Sequence, residues 1–298
     1  MSELRRRAYT GVRDLVRMQE AVSAAHDDTW WRTGDLAWGA RNLSQLELGV
    51  WVTLWEPPRG GLPVAWVWPT SKCWVDHFVA PGAATLGLLA EMVRTAEATL
   101  LAAASAGDPV ETATFMVGES EGLMRAALEA AGYAPIPEGF EVNRRSLETI
   151  AEPSLPPGYR LSGVDDQLVE GRVEAQRAAF APSTLTLERY RRVRRLAPYS
   201  AELDRVVIDP GGQVVACCTA WLDSANASGL LEPVGTRPDR QRLGLGTAVC
   251  LDALHALRRA GARVAQVSCD AGSAGCATYR RAGFSVAERV EVMRRTLG

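Results

Sequence analysis

Leu230 to Thr247 reads LLEPVGTRPDRQRLGLGT. Its order is an apolar strand, a turn, then Gln241-Arg242-Leu243-Gly244-Leu245-Gly246 opening a helix. The first backbone N–H groups of a helix have no intrahelical acceptor and lie at the positive end of its dipole, so they attract phosphate oxygens. Glycine at 244 and 246 removes the Cβ atoms that would hold those oxygens away. The stretch therefore predicts a phosphate-binding turn between a strand and a helix. A helical run from Thr247 to Arg259 follows, then a strand from Arg263 to Cys269. A short helix carrying Tyr279 then precedes Arg-Ala-Gly283-Phe284.

The same plan occurs earlier in the chain in weaker form. Ala131-Gly132-Tyr133 followed by Glu141-Val-Asn-Arg-Arg-Ser-Leu147 recurs as Ala282-Gly283-Phe284 followed by Glu291-Val-Met-Arg-Arg-Thr-Leu297, offset by 151 and 150 residues. Gly49 to Pro69 and Asp204 to Asp223 both read as two β-rich runs joined by a Pro-Gly turn. Each half opens with a helical segment, near Gly11–Ala25 and Gly163–Phe180. The breaker-rich Ala151-Glu-Pro-Ser-Leu-Pro-Pro-Gly158 lies between them. The chain reads as a tandem duplication with domains 1–150 and 151–298. Each copy is expected to run through helices, a three-stranded meander, a fourth strand into the turn, a long helix, a fifth strand, a short helix and a closing β-hairpin. That is an α/β plan with a mixed sheet.

Composition bounds the rest. The 298 residues are 47% hydrophobic and 23% charged, in the range of a folded globular protein. No apolar run approaches the roughly 20 residues of a membrane span, and no apolar stretch follows the N-terminal arginines as in a signal peptide. A cytoplasmic protein is expected. The six cysteines lack metal-site spacing, so buried reduced thiols and no metal are expected. Residues 1–150 hold 13 Lys and Arg against 19 Asp and Glu; residues 151–298 hold 20 against 16. The basic half is the one with the phosphate turn, which suits a polyanionic ligand, and neither half is basic enough for nucleic acid. Lys72 is the only lysine in an Arg- and Ala-rich chain, a composition that looks like a GC-rich bacterial genome.

The Q/R-x-x-G-x-G/A turn, with a tyrosine shortly before Gly283-Phe284, resembles the GNAT acetyltransferases. The likeness rests on specific motifs in the C-terminal half and on pattern alone in the N-terminal half; the whole is similar in organisation to mycothiol synthase. The resemblance implies two tandem GNAT domains, with acetyl-CoA as co-substrate and the activity of an acyltransferase of the EC 2.3.1 class. It implies that the amides of Arg242, Leu243, Gly244, Leu245, Gly246 and Thr247, with Gln241, hold the pyrophosphate. Val234, Gly235 and Thr236 would pair with the pantetheine arm, and Gly235 would let it come close. Tyr279 would protonate the departing thiolate. Arg237, Arg240 and Arg242 are within sequence reach of phosphates.

Glu232 is the candidate base, expected on the same strand face as Leu230 and Val234, where partial burial would raise its pKa. Two departures stand out. The family's strand base usually falls one alternation earlier, which here is Leu230. Gly272 stands where many members carry an asparagine, with Ser273 as the available substitute. Aligned on the other copy, Glu232 falls opposite Val75 and Tyr279 opposite Leu128, and the turn becomes Ala83-Ala84-Thr85-Leu86-Gly87. The N-terminal half therefore reads as a degenerate copy whose tryptophans (eight of the nine) fill core or interface. The expected activity is direct acetyl transfer in a ternary complex to a primary amine, here a small-molecule acceptor, by a monomer or homodimer. Two alternatives remain open: a catalytically silent acyl-CoA-binding or scaffold protein, and a protein or peptide N-acetyltransferase.

Overall fold

The computed structural model describes residues 4–42, 45–71, 73–104 and 109–297. In chain order the elements are β1 (Arg5–Ala8), α1 (Val12–Ala24), α2 (Thr33–Gly39), α3 (Gln45–Trp51), β2 (Thr53–Glu56), β3 (Ala65–Pro69), β4 (Trp74–Val79), α4 (Leu86–Ala103), β5 (Thr112–Gly118), α5 (Gly122–Ala130) and β6 (Ala134–Ser146). They continue with β7 (Arg160–Gly163), α6 (Val169–Ala179), α7 (Leu187–Val193), β8 (Asp204–Ile208), β9 (Val214–Asp223), β10 (Ser228–Thr236), α8 (Leu245–Arg259), β11 (Val264–Asp270), α9 (Ala274–Arg281) and β12 (Ser285–Thr296). Among the described residues no helix is long and apolar enough to cross a membrane.

The chain packs as two compact units that interleave in sequence. The first takes Met1–Trp31, Leu43–Glu141 and Glu288–Gly298; the second takes Arg32–Asn42 and Val142–Ala287. In the first, the strand order is β1-β2-β3-β4-β5-β12, antiparallel throughout except for the parallel pair β4–β5. In the second, β7-β8-β9-β10-β11 repeats that pattern, three antiparallel pairs and then the parallel pair β10–β11. The same five-strand order with the same parallel step is the structural form of the duplication.

The sixth strand of each sheet comes from the other copy. β12, last in the chain, runs beside β5 from Val290↔Gly118 to Thr296↔Thr112. The end of β6 lies next to β11, and Leu147 N–H donates to the Arg263 carbonyl at 2.8 Å. These are the strands of the EVNRRSL/EVMRRTL repeat. The closing β-hairpin expected in each copy is therefore corrected to one unbroken strand of 13 or 12 residues. Exchange supplies the neighbour that a hairpin's second arm would have supplied.

Each core is a helix laid on its sheet. In the first unit Leu89, Met92, Val93, Ala96 and Leu100 of α4 recur at helical spacing and pack on Trp55, Val67, Val75 and Phe115. In the second, Val249, Cys250, Ala253, Leu254 and Leu257 of α8 cover Val207, Cys218, Ala220, Leu231 and Val267. Trp55, Trp66 and Trp68 are fully buried, as expected of core rings. The expectation of six reduced thiols is corrected: Cys269 at the end of β11 and Cys276 in the first turn of α9 form a disulfide. The short β11–α9 connection brings these two side chains together, a proximity that spacing alone did not reveal.

Candidate active site

β10 and β11 pair over only three positions, Ser228↔Val264, Gly229↔Ala265 and Leu230↔Gln266. Beyond Leu230, β10 continues paired with β9 alone, through Val234↔Cys218, Gly235↔Cys217 and Thr236↔Ala216. The two strands have parted, leaving the backbone edge of residues 231–236 open towards β11. Gly235 also serves packing: a Cβ there would come within 2.8 Å of the Phe180 ring and 2.9 Å of Ala179. Its small size thus also admits the end of α6.

The expected strand face of Glu232 is corrected. The β9–β10 register shifts between Leu231 and Val234, so Glu232 and Pro233 together lie opposite the one residue Thr219. A bulge of this kind reverses the alternation beyond it. Leu230 pairs with Trp221 and Val234 with Cys218, which point to opposite faces of β9, so Leu230 and Val234 do not share a face. Glu232 occupies the bulge itself. Burial pushes its carboxyl up to about 7, moderated by the positive charge of Arg41.

After β10, the short 3-10 turn Pro238–Arg240 leads to α8. Arg242 (φ +63°) and Gly244 (φ +79°) are both left-handed. Gly244 is the N-cap of α8, and no side chain caps the helix. The Ala248 N–H bonds back to the Gly244 carbonyl at 3.0 Å, so the amides ahead of it have no acceptor of their own within the helix. Left-handed residues in such a turn gather N–H groups into an anion-binding concavity. Gly246 is half-buried; a Cβ there would meet Thr236 Oγ1 at 3.2 Å and Thr278 at 3.4 Å. Gln241 Nε2 reaches the Thr236 carbonyl at 3.4 Å and ties the turn to β10. Arg237 and Arg240 are paired with Asp239, and Arg240 also with Asp209, whereas Arg242 is exposed. These features fit a pyrophosphate.

Tyr279 is buried on α9, edge-on to Phe284 with centroids 6.2 Å apart. Burial holds its hydroxyl well above the ordinary phenol range, reinforced by Cys250 and by Glu232, within whose electrostatic reach it lies. Glu232 on β10 and Tyr279 on α9 both belong to the second unit. Ser273 is the N-cap of α9, its Oγ accepting from the Cys276 N–H at 3.4 Å. Cys217 and Cys218 are fully buried, and burial raises both thiols.

Sequence reasoning missed the segment Arg32–Asn42, which belongs to the second unit although it precedes it by a hundred residues. A Cβ on Gly34 of α2 would fall 2.3 Å from Trp221 Cγ, so α2 rests directly on that ring. Arg41 is held by its own segment: Nη1 donates to the Trp38 carbonyl at 2.6 Å, and the guanidinium lies 4.3 Å from the Trp38 ring centroid. A glycine inside a helix was the available signal, and it names no partner.

The corresponding place in the first unit differs. β4 and β5 pair at Trp74↔Thr114 and Val75↔Phe115 and then part. Glu121 fills the opening, accepting from Gly118 N–H (2.7 Å) and Trp30 Nε1 (3.1 Å) and bonding His77 Nε2 (3.1 Å). Burial opposes the Glu121 charge, but these partners prevail and lower its pKa. The Thr85 hydroxyl caps α4 by accepting from Leu88 N–H at 3.2 Å. Val75 and Leu128, the counterparts of Glu232 and Tyr279, are core residues.

Residues 172–284 match the acetyltransferase (GNAT) family. The match lies within the second half of the chain, and the chain as a whole has the fold of the GNAT proteins it superposes on. A GCN5-related N-acetyltransferase from Sphaerobacter thermophilus superposes with a TM-score of 0.70 at 20% identity, over 99% of this chain and 96% of that one. A tandem GNAT protein from the clavulanic acid biosynthesis pathway gives 0.66 at 14% identity, over 99% of both chains. A GNAT-family acetyltransferase from Colwellia psychrerythraea gives 0.61 at 11% identity, over 98% of this chain and all of the other. No curated protein matches the sequence.

Proposed function

We propose that the protein is an N-acetyltransferase that moves the acetyl group of acetyl-CoA directly to the primary amine of a small molecule. The observation that carries this reading is the parting of β10 from β11 beside a helix start whose N-cap is the left-handed Gly244 with no side-chain cap. Acetyl-CoA, when bound, supplies the activated acyl group. The amides of residues 242–247 hold its pyrophosphate, and residues 234–236 offer the backbone edge turned away from β9 to its pantetheine arm. Glu232 takes a proton from the acceptor ammonium, directly or through water; a carboxylate poised near the working pH is suited to that transfer. Tyr279 keeps its proton at neutral pH and gives it to the departing thiolate. Cys217 and Cys218 remain buried thiols, which favours direct transfer over an acyl-enzyme. The N-terminal copy has lost the open helix start and both catalytic positions, and serves as a degenerate partner.

The test is release of free CoA thiol in the presence of acetyl-CoA and a panel of small primary amines, with peptides as a second panel. The reading expects release with small amines and a loss of ten-fold or more in Tyr279→Phe. Binding without release would leave an acyl-CoA-binding protein; release with peptides alone would move the acceptor to a polypeptide.

A further inference from the structure

The bulge that carries Glu232 creates a backbone deficit. Pro233 has no N–H, and the register shift removes the Glu232 carbonyl from the ordinary β9–β10 ladder. A buried carbonyl without a donor is costly, so something must satisfy it. The indole of Trp221 does so: its Nε1 donates to the Glu232 carbonyl at 2.5 Å. The ring is buried and held from two sides. Tyr199 packs against it at 6.2 Å between centroids, and α2 lies on it through Gly34. Tyr199 is itself anchored, since its hydroxyl donates to Asp204 Oδ2 at 3.3 Å and shares that carboxylate with Tyr190 at 2.6 Å. Arg172 and Thr219 satisfy the other oxygen, at 3.4 and 3.1 Å.

We infer that Trp221 is a positioning residue that fixes the Glu232 bulge, and that residues 32–42 of the N-terminal half complete the catalytic unit by locking Trp221 in place. The inference rests on the reading of Glu232 as the base. With the carbonyl pinned, the Glu232 backbone, and with it the root of its side chain, keeps one position in the bulge. Without the indole N–H, the bulge shifts to recruit water and the carboxylate moves with it. The charged and titratable surroundings of Glu232 are Arg41 from the 32–42 segment and Tyr279 from α9. Tyr279 in turn feels Cys218 on β9, Cys250 on α8 and Asp270 on β11. On α6, Arg172 is committed to Asp204, Gln176 and Thr219; on α8, Asp252 is committed to Arg205 and His255 to the Ala151 carbonyl.

The experiment uses the full chain and compares wild type with Trp221→Phe, Gly34→Ala and Glu232→Gln. Trp221→Phe keeps an aromatic ring and removes the donor. Three readouts are taken: the pH profile of kcat/KM for the amine, the Kd of acetyl-CoA by calorimetry, and the Glu232 carboxyl titration by carbon NMR. Trp221→Phe is expected to lower kcat by ten-fold or more and to displace the acidic limb and the Glu232 titration together. Acetyl-CoA Kd stays within two-fold. Gly34→Ala, whose Cβ would fall 2.3 Å from Trp221 Cγ, is expected to displace the limb and the titration in the same way. A Trp221→Phe protein with the wild-type limb and titration overturns the positioning role while leaving Glu232 as base. A wild-type limb that survives in Glu232→Gln overturns the reading of the base, and this inference with it. The NMR titration needs no turnover, so an unidentified acceptor does not shelter the proposal.

Discussion

The starts of α8 and α4 are the same place in two copies of one plan, and they have been finished differently. At α8 a left-handed glycine caps the helix, no side chain intervenes, and the leading amides are left for a ligand. At α4 the Thr85 hydroxyl takes the Leu88 amide. The strand openings differ in the same sense: β10 parts from β11 and leaves its edge open, whereas Glu121 with His77 and Trp30 fills the gap between β4 and β5. Duplicated backbone topology is therefore not duplicated chemistry. A few side chains at a helix start and a strand fork set the two copies apart.

The comparison breaks first at the glycine. Gly244→Glu forces a side chain into a left-handed position and sets a negative charge where phosphate is expected, so acetyl-CoA binding should fall a hundred-fold or more by calorimetry. The matching change in the other copy, Gly87→Glu, should leave affinity and stoichiometry untouched. An equal loss from both would mean the second copy is alive.

Next comes the acid. Tyr279→Phe should lower kcat at least ten-fold with the acetyl-CoA Kd nearly unchanged if its phenol acts, as proposed, only as the thiolate leaves. Glu232→Gln should remove the rise of kcat/KM through about pH 7 that the wild-type carboxyl predicts. The stability effect has a definite sign. Burial raises the folded-state pKa from 4.5 to about 7, so the native state keeps a proton that the unfolded chain releases. The associated stability is full below pH 4.5 and is lost as pH rises through 7. Glu232→Gln is uncharged at every pH, so it should gain on wild type at pH 8 relative to pH 4, measured by urea midpoints.

The smallest effect sharpens the contrast. Thr85→Ala removes a helix cap and should cost about 1 kcal/mol of stability. If the proposed site at α8 is the one that binds, the stoichiometry of acetyl-CoA should not change.

The turn from Gln241 to Gly246 and the Tyr279 position were legible because both depend on local backbone and helix register. The duplication was legible because repeated patterns survive at nearly fixed offsets. Three things were not. The exchange of β6 and β12 is a choice of partner, and a strand's own sequence does not name its neighbour. The bulge at Glu232 breaks the alternation on which strand-face reading depends, so Val234 faces opposite to Leu230. The packing of α2 on Trp221 joins residues 187 positions apart through a single glycine, and nothing local to Gly34 announces it.

Calorimetric titration of the purified full chain with acetyl-CoA tests most directly whether the C-terminal copy alone is competent. One site per chain, abolished by Gly244→Glu and indifferent to Gly87→Glu, is the predicted result. Two sites, or none at high micromolar acetyl-CoA, would contradict it.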